Sequence, residues 1–117
     1  MLAVAAYRLT LDPPLSRQFA LADQIRRSAG SIPANIAEGY ALGTTAQFVR
    51  FLRIALGSAA ELRAHLDLVQ ELEFAREESL RRARALCDDE IGLLIGLVYT
   101  LKRRLDTTRP PSRVPRP

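Results

Sequence analysis

An all-α, antiparallel up-down four-helix bundle is the fold class predicted for this chain, and three observations predict it. Of its 117 residues, 48% are hydrophobic but only 6% are aromatic, and Ala, Leu and Arg dominate, which is how long packed helices are composed. Val and Thr are too sparse for a sheet protein. Apolar residues recur in alternating steps of four and three along Phe48 to Val69 and again along Leu80 to Leu105, which places them on one helix face. The length suits one core and leaves no room for a second domain.

The elements follow in order, with helices expected over about residues 1–11, 13–39, 44–73 and 76–106 of a bundle spanning 1–107. The first helix is short and stops where Asp12-Pro13-Pro14 forces a break. A proline at a first helical position loses no intrahelical hydrogen bond, so Asp12 can cap a second helix opened by Pro13 or Pro14. Its apolar positions Phe19, Ala22, Ile25, Ala29, Ile32 and Ile36 continue on both sides of Pro33, which predicts a kinked helix. Gly39 is expected as its left-handed cap. Thr44-Thr45-Ala46-Gln47 fits a capping box that starts the third helix, and a break at Glu73 to Ala75 separates it from the fourth. Glu77 with Arg81, and Glu78 with Arg82, are four-residue pairs in the favourable order. Residues 108 to 117 (TRPPSRVPRP) predict a disordered or polyproline-like arm.

The formal charge is +4, but Arg109, Arg113 and Arg116 in that arm account for three charges, leaving +1 for the bundle. Basicity is therefore a stronger argument for a local electrostatic contact by the arm than for nucleic-acid binding by the folded part. Cys87 is the only cysteine, so no intrachain disulfide is expected and the cytoplasm is the default compartment. Met1 to Ala6 lacks the basic flank of a secretion signal. Ile91 to Leu101 would reach about 16 Å as a helix against a bilayer core of about 30 Å, so no membrane association is expected.

Beside the apolar positions of the second helix runs another stripe, Gln24, Ser28, Ser31, Asn35 and Glu38, made only of hydrogen-bonding side chains. Small polar residues at this spacing suit a close interface whose buried groups pair specifically, within the bundle or between subunits; the alternative is an ordinary wet face. Gly57-Ser58 in the third helix, with Gly92 and Gly96 in the fourth, suggest close helix approach, either within the chain or between subunits, because each mid-helix glycine costs about 1 kcal/mol against alanine. Arg26, Arg27, Arg50, Arg53 and Arg63 form a basic set in the middle helices, joined by Lys102, Arg103 and Arg104. The planar guanidinium forks of the arginines suit phosphate in RNA or DNA. They equally suit ion pairing on a solvated face, and the last three suit a helix C-terminus.

Catalytic groups are few. His65 is the only histidine, with Glu61 one turn away, and Cys87 falls among the apolar positions as a buried thiol. No phosphate-cradling glycine loop or paired metal ligands occur, so neither an enzyme nor a cofactor or metal site is expected.

The segments Gln24 to Ala29 (QIRRSA), Ser31 to Gly39 (SIPANIAEG) and Phe48 to Leu62 (FVRFLRIALGSAAEL) resemble the signature of the 23S rRNA intervening-sequence, or S23-type, family over roughly residues 9 to 105. The resemblance implies a four-helix bundle assembled as a ring-like homopentamer. It also implies kinship with the accessory variability proteins of diversity-generating retroelements, which bind a reverse transcriptase and nucleic acid. The family's motif positions fall on Gln24, Arg26, Arg27, Ser31, Asn35, Glu38, Gly57, Ser58 and Glu61. Pro13-Pro14 replaces the family's Phe-Pro opening of the second helix, and Leu42 stands where an Arg is usual, which weakens a nucleic-acid contact at that loop. The first helix is also short for the family, which either leaves one corner of the bundle incomplete or places the true start upstream. Two functions follow: a non-catalytic RNA- or DNA-binding accessory that partners a reverse transcriptase, or a protein-interaction scaffold without nucleic-acid binding.

Overall fold

The computed structural model describes residues 1–108, and the arm expected over 108 to 117 lies, from residue 109 onward, outside the described residues. Among the described residues the chain forms four α-helices, α1 (Leu2–Leu9), α2 (Phe19–Ala41), α3 (Thr45–Leu72) and α4 (Glu77–Thr108), with a 3-10 turn at Leu15–Arg17 and no strand.

The helix starts and stops have local causes. Thr44 caps α3 by accepting the Gln47 backbone N–H at 3.2 Å. The helix ends at Glu73, whose left-handed φ of 56° turns the chain so that the Phe74 N–H reaches back to the Val69 carbonyl. Glu77 and Glu78 then place acid in the first turn of α4, where the helix dipole favours it. Pro33 sits inside a helix that is continuous from Phe19 to Ala41.

Four expectations about α2 are corrected. The helix begins at Phe19 and not at 13, because Leu15 is seated in the core with its N–H on the Phe74 carbonyl and the chain makes the 3-10 turn before α2. Asp12 therefore caps nothing there; Gln18 precedes the helix without a side-chain cap. Phe19, at the very first position, is exposed, and Leu15 from the 3-10 turn fills the core in its place. Gly39 is not the terminating residue either. The helix runs two residues past it, and the positive φ belongs to Gly43. Gly39 is instead a point of close approach: a Cβ there would lie 2.7 Å from Phe51 Cβ on α3.

The packing is an up-down square in which α3 and α1 occupy opposite corners, each resting on α2 and α4. One core joins Leu52, Ala55, Leu62 and Leu66 of α3 with Ile25 and Ile32 of α2, Leu80, Ala83 and Cys87 of α4, and Leu2, Ala6 and Leu9 of α1. The α3 and α4 positions are those the four-three spacing selects. At the loop end, the Leu15 N–H bonds the Phe74 carbonyl at 3.1 Å, tying the α1–α2 connection to the α3–α4 connection.

The corners differ greatly in length. At 1.5 Å per residue the 8 residues of α1 give about 12 Å, against about 48 Å for the 32 of α4. One end of α1 sits against Ser79 and Arg82, and the other against Ile36 and Glu90. Beyond Glu90, α4 continues without α1 beside it.

Candidate nucleic-acid interface

The polar stripe of α2 resolves into an internal network at its centre and exposed groups at its ends. Ser31 and Ser58 share a hydrogen bond of 2.8 Å between their hydroxyls, which joins α2 to α3. The Asn35 amide donates to Ser31 Oγ at 2.9 Å and to the Ser31 carbonyl at 2.8 Å. Ser28 is buried and donates back to the Gln24 carbonyl at 2.9 Å, so it needs no partner on another helix. Gln24 and Glu38 are exposed. The Ser31–Ser58 pairing is thus made within the chain, between half-buried residues of α2 and α3.

Of the places expected for close helix approach, the chain itself provides none at Gly57, Gly92 or Gly96, where nothing lies within 4 Å of a built Cβ; within the chain the close approach is at Gly39. Glu61, the last of the interface set, is exposed and pairs with His65 at 3.3 Å, one turn along the same helix.

The basic set divides in two. Arg26 belongs to the framework: its Nε donates to the buried Thr10 Oγ1 at 2.7 Å, and its guanidinium lies over the Tyr7 ring at 4.8 Å, fastening the end of α1 to α2. Arg63 also belongs there, donating from Nε to Asp88 at 2.6 Å and pairing with Asp67. Those carboxylates raise its pKa, the hydrogen bond to Asp88 most of all. Arg84 adds a contact of 3.1 Å to Asp67 and donates to Gln70, so the network spans α3 and α4.

The remaining cations are exposed. Arg27 faces Asp23 at 4.0 Å, with both side chains largely in water. Arg50, Arg53, Lys102 and Arg103 are exposed as well. Arg50 lies over the Phe51 ring at 5.7 Å and Arg103 over the Tyr99 ring at 5.8 Å. These residues occupy one end of the bundle. Arg63 reaches Asp88 while Gln70 meets Arg84, so α3 and α4 run antiparallel, and the start of α3 lies beside the last turns of α4. Gly39 against Phe48 and Phe51 brings the end of α2 to the same place.

The sequence signal for this end was legible but went unread. No Asp or Glu occurs between Glu38 and Glu61, or between Glu90 and Asp106. These are the segments the antiparallel packing brings together. The opposite end holds Asp67, Glu71, Glu73, Glu77 and Glu78. A net charge near zero for the bundle thus conceals a basic end, while at the opposite end these acids are nearly matched by Arg76, Arg81, Arg82 and Arg84. Two exposed aromatic rings, Tyr40 and Tyr99, share the basic end; Tyr40 meets Phe48 edge-on with ring centres 6.0 Å apart. Guanidinium groups beside open rings can take phosphates and stack bases.

Cys87 is buried, and burial pushes its thiol up to about 11, helped by the charge of Asp88, so it is a poor nucleophile. Among the described residues no group of three His, Cys, Asp or Glu is placed to hold a metal ion, and no helix is long and apolar enough to cross a membrane.

The family model for the 23S rRNA-intervening sequence protein matches residues 1–96. A crystal structure of a protein with unknown function from the S23 ribosomal protein family of Bacteroides thetaiotaomicron VPI-5482 is similar, with a TM-score of 0.72 and 29% sequence identity over 82% of this chain and 87% of that one. No curated protein matches the chain.

Proposed function

The chain belongs to the 23S rRNA-intervening sequence protein family, and from that premise we propose that it is a non-catalytic, cytoplasmic accessory that binds RNA or DNA through the basic end of the bundle. The observation that carries the reading is the juxtaposition of two acid-free helix segments bearing Arg50, Arg53, Lys102 and Arg103. Arg26 and Arg63 leave the binding set, because their guanidinium groups already serve Thr10 and the Asp67–Asp88 pair. Arg27 stands apart, towards the other end of α2. Such a surface holds phosphates by charge and has no buried donor set with which to read a base, so affinity without strong sequence preference follows.

The sequence resemblance, which implies kinship with accessory variability proteins, extends the proposal to a reverse transcriptase as protein partner and to a ring-like homopentamer. A solution mass of five times 13.0 kDa is the expected result for the latter.

The test is binding of labelled single-stranded RNA and DNA across a salt series. Four phosphate contacts give a slope of log affinity against log salt of about −3 for a single strand. Replacing Arg50, Arg53 and Arg103 by Ala is expected to flatten the slope by about 2 and leave the fold intact. Absence of binding at low salt would overturn the reading and leave the protein-interaction scaffold.

A further inference from the structure

A large ring lies open among the cations of the basic end. Tyr99 of α4 is 63% exposed, and the Arg103 guanidinium lies over its ring, 5.8 Å from the centre. A guanidinium covers one face of a ring, which leaves the other for a second planar group. The ring borders a depression of about 270 Å³ lined by Tyr99, Thr100, Arg103, Arg104 and Thr107, with no acid among them. Charge comes from α3 at the same level. Counted from the Arg63–Asp88 pair, Arg53 lies ten residues back along α3 and Tyr99 eleven residues on along α4, about three turns in each of two antiparallel helices. The exposed Arg53 therefore stands level with the ring. This opening does not depend on the length of the first helix. Glu90 lies against α1, and Tyr99, nine residues or two and a half turns further on, points to the opposite side of α4.

We propose that Tyr99 is a stacking platform for an unpaired nucleobase, so that the nucleic acid taken by this end of the bundle is single-stranded, which rests on the nucleic-acid reading of that end. In a duplex both faces of an internal base are taken by its neighbours, and freeing one costs unpairing and unstacking. A single strand lays a base on the ring without that cost, while Arg103 and Arg53 hold the adjoining phosphates. Charge alone makes the opposite choice, because a duplex carries the denser row of phosphates. Every base has a face to stack, so the platform keeps the weak sequence preference expected of this surface.

The chain contains no Trp, so the emission of its three tyrosines can be followed directly while the full chain is titrated with an RNA strand of about 12 adenylates, an abasic strand of the same sugar and length, and a duplex of that length. The adenylate strand is expected to bind about fivefold or more tightly than the abasic strand and the duplex, and to quench the emission. Tyr99→Leu is expected to abolish the preference over the abasic strand, weakening the adenylate strand at every salt concentration without changing the salt slope, since no phosphate contact is lost. Tyr99→Phe keeps the affinity and loses the quenching. Tyr99 is exposed, so both variants are expected to melt with the parent. Equal affinity for adenylate and abasic strands, tighter binding of the duplex, or quenching that survives Tyr99→Phe overturns the platform and leaves the phosphate-binding surface standing. Failure of all three probes to bind at low salt overturns both.

Discussion

Surroundings decide what each arginine in this chain does. Arg26 satisfies the hydroxyl and carbonyl of Thr10, a residue with no exposed surface, at the point where α1 ends. Its replacement by Ala is expected to lower unfolding free energy by about 1.5–3 kcal/mol, the worth of a hydrogen bond to a charged group, with little effect on RNA affinity. Arg50→Ala and Arg53→Ala are expected to do the reverse: each leaves urea stability within about 0.5 kcal/mol and weakens RNA binding. Chemical denaturation and binding measured on the same three variants check both halves.

Cys87 supplies a second expectation at this scale. Its thiol ionises near 9.0 when unfolded but only near 11 when folded, because burial disfavours the thiolate. Below pH 9 both states hold the proton and stability is unaffected. As pH rises from 9 to 11 the unfolded chain loses its proton first, so the folded state loses ground. Melting temperatures over this range are expected to fall more steeply for the native sequence than for Cys87→Ala. The same burial predicts slow alkylation of the native thiol and fast alkylation in urea.

Among the elements, α2 is held to α3 by contrasting devices at two levels. Ser31 and Ser58 meet through a hydrogen bond, while Gly39 lets Phe51 approach so closely that a Cβ would overlap it. Gly39→Ala improves helix propensity by about 1 kcal/mol, but the overlap is with another Cβ, which cannot rotate away. Overpacking of about 1–3 kcal/mol therefore cancels or exceeds that gain, and the variant is expected to melt lower than the parent. The α3 and α4 boundaries were legible because their determinants are local: a Thr that caps and a break at Glu73. The start of α2 was not legible. A proline is compatible with a helical first turn in isolation, and only the placement of Leu15 in the core, with its N–H on the Phe74 carbonyl, selects the 3-10 turn.

Across the whole molecule, the bundle has four helices over one part of its length and three over the rest. Backbone amides of α4 beyond Glu90, and of α2 beyond Ile36, lie past the end of α1 and lack the cover that it gives Ala29. Amide hydrogen exchange is expected to be fastest in those turns and slowest at Leu62, Leu66 and Ala83.

Composition, the four-three apolar spacing and the SIPANIAEG and ALGSAAEL segments determined the all-α class, the four helices and the family, because such signals are local or repeat along one helix. The acid-free intervals that make the basic end were also in the sequence. Their meaning arose only when antiparallel packing set Arg50 and Arg53 beside the last turns of α4. Tertiary structure alone decided that Arg26 and Arg63 are fasteners, that the serines pair inside the bundle, and that Leu93 and Leu97 lie open. The physical reason is common to all three: a side chain's periodicity selects its helix face, but what stands opposite that face depends on the length and register of another helix.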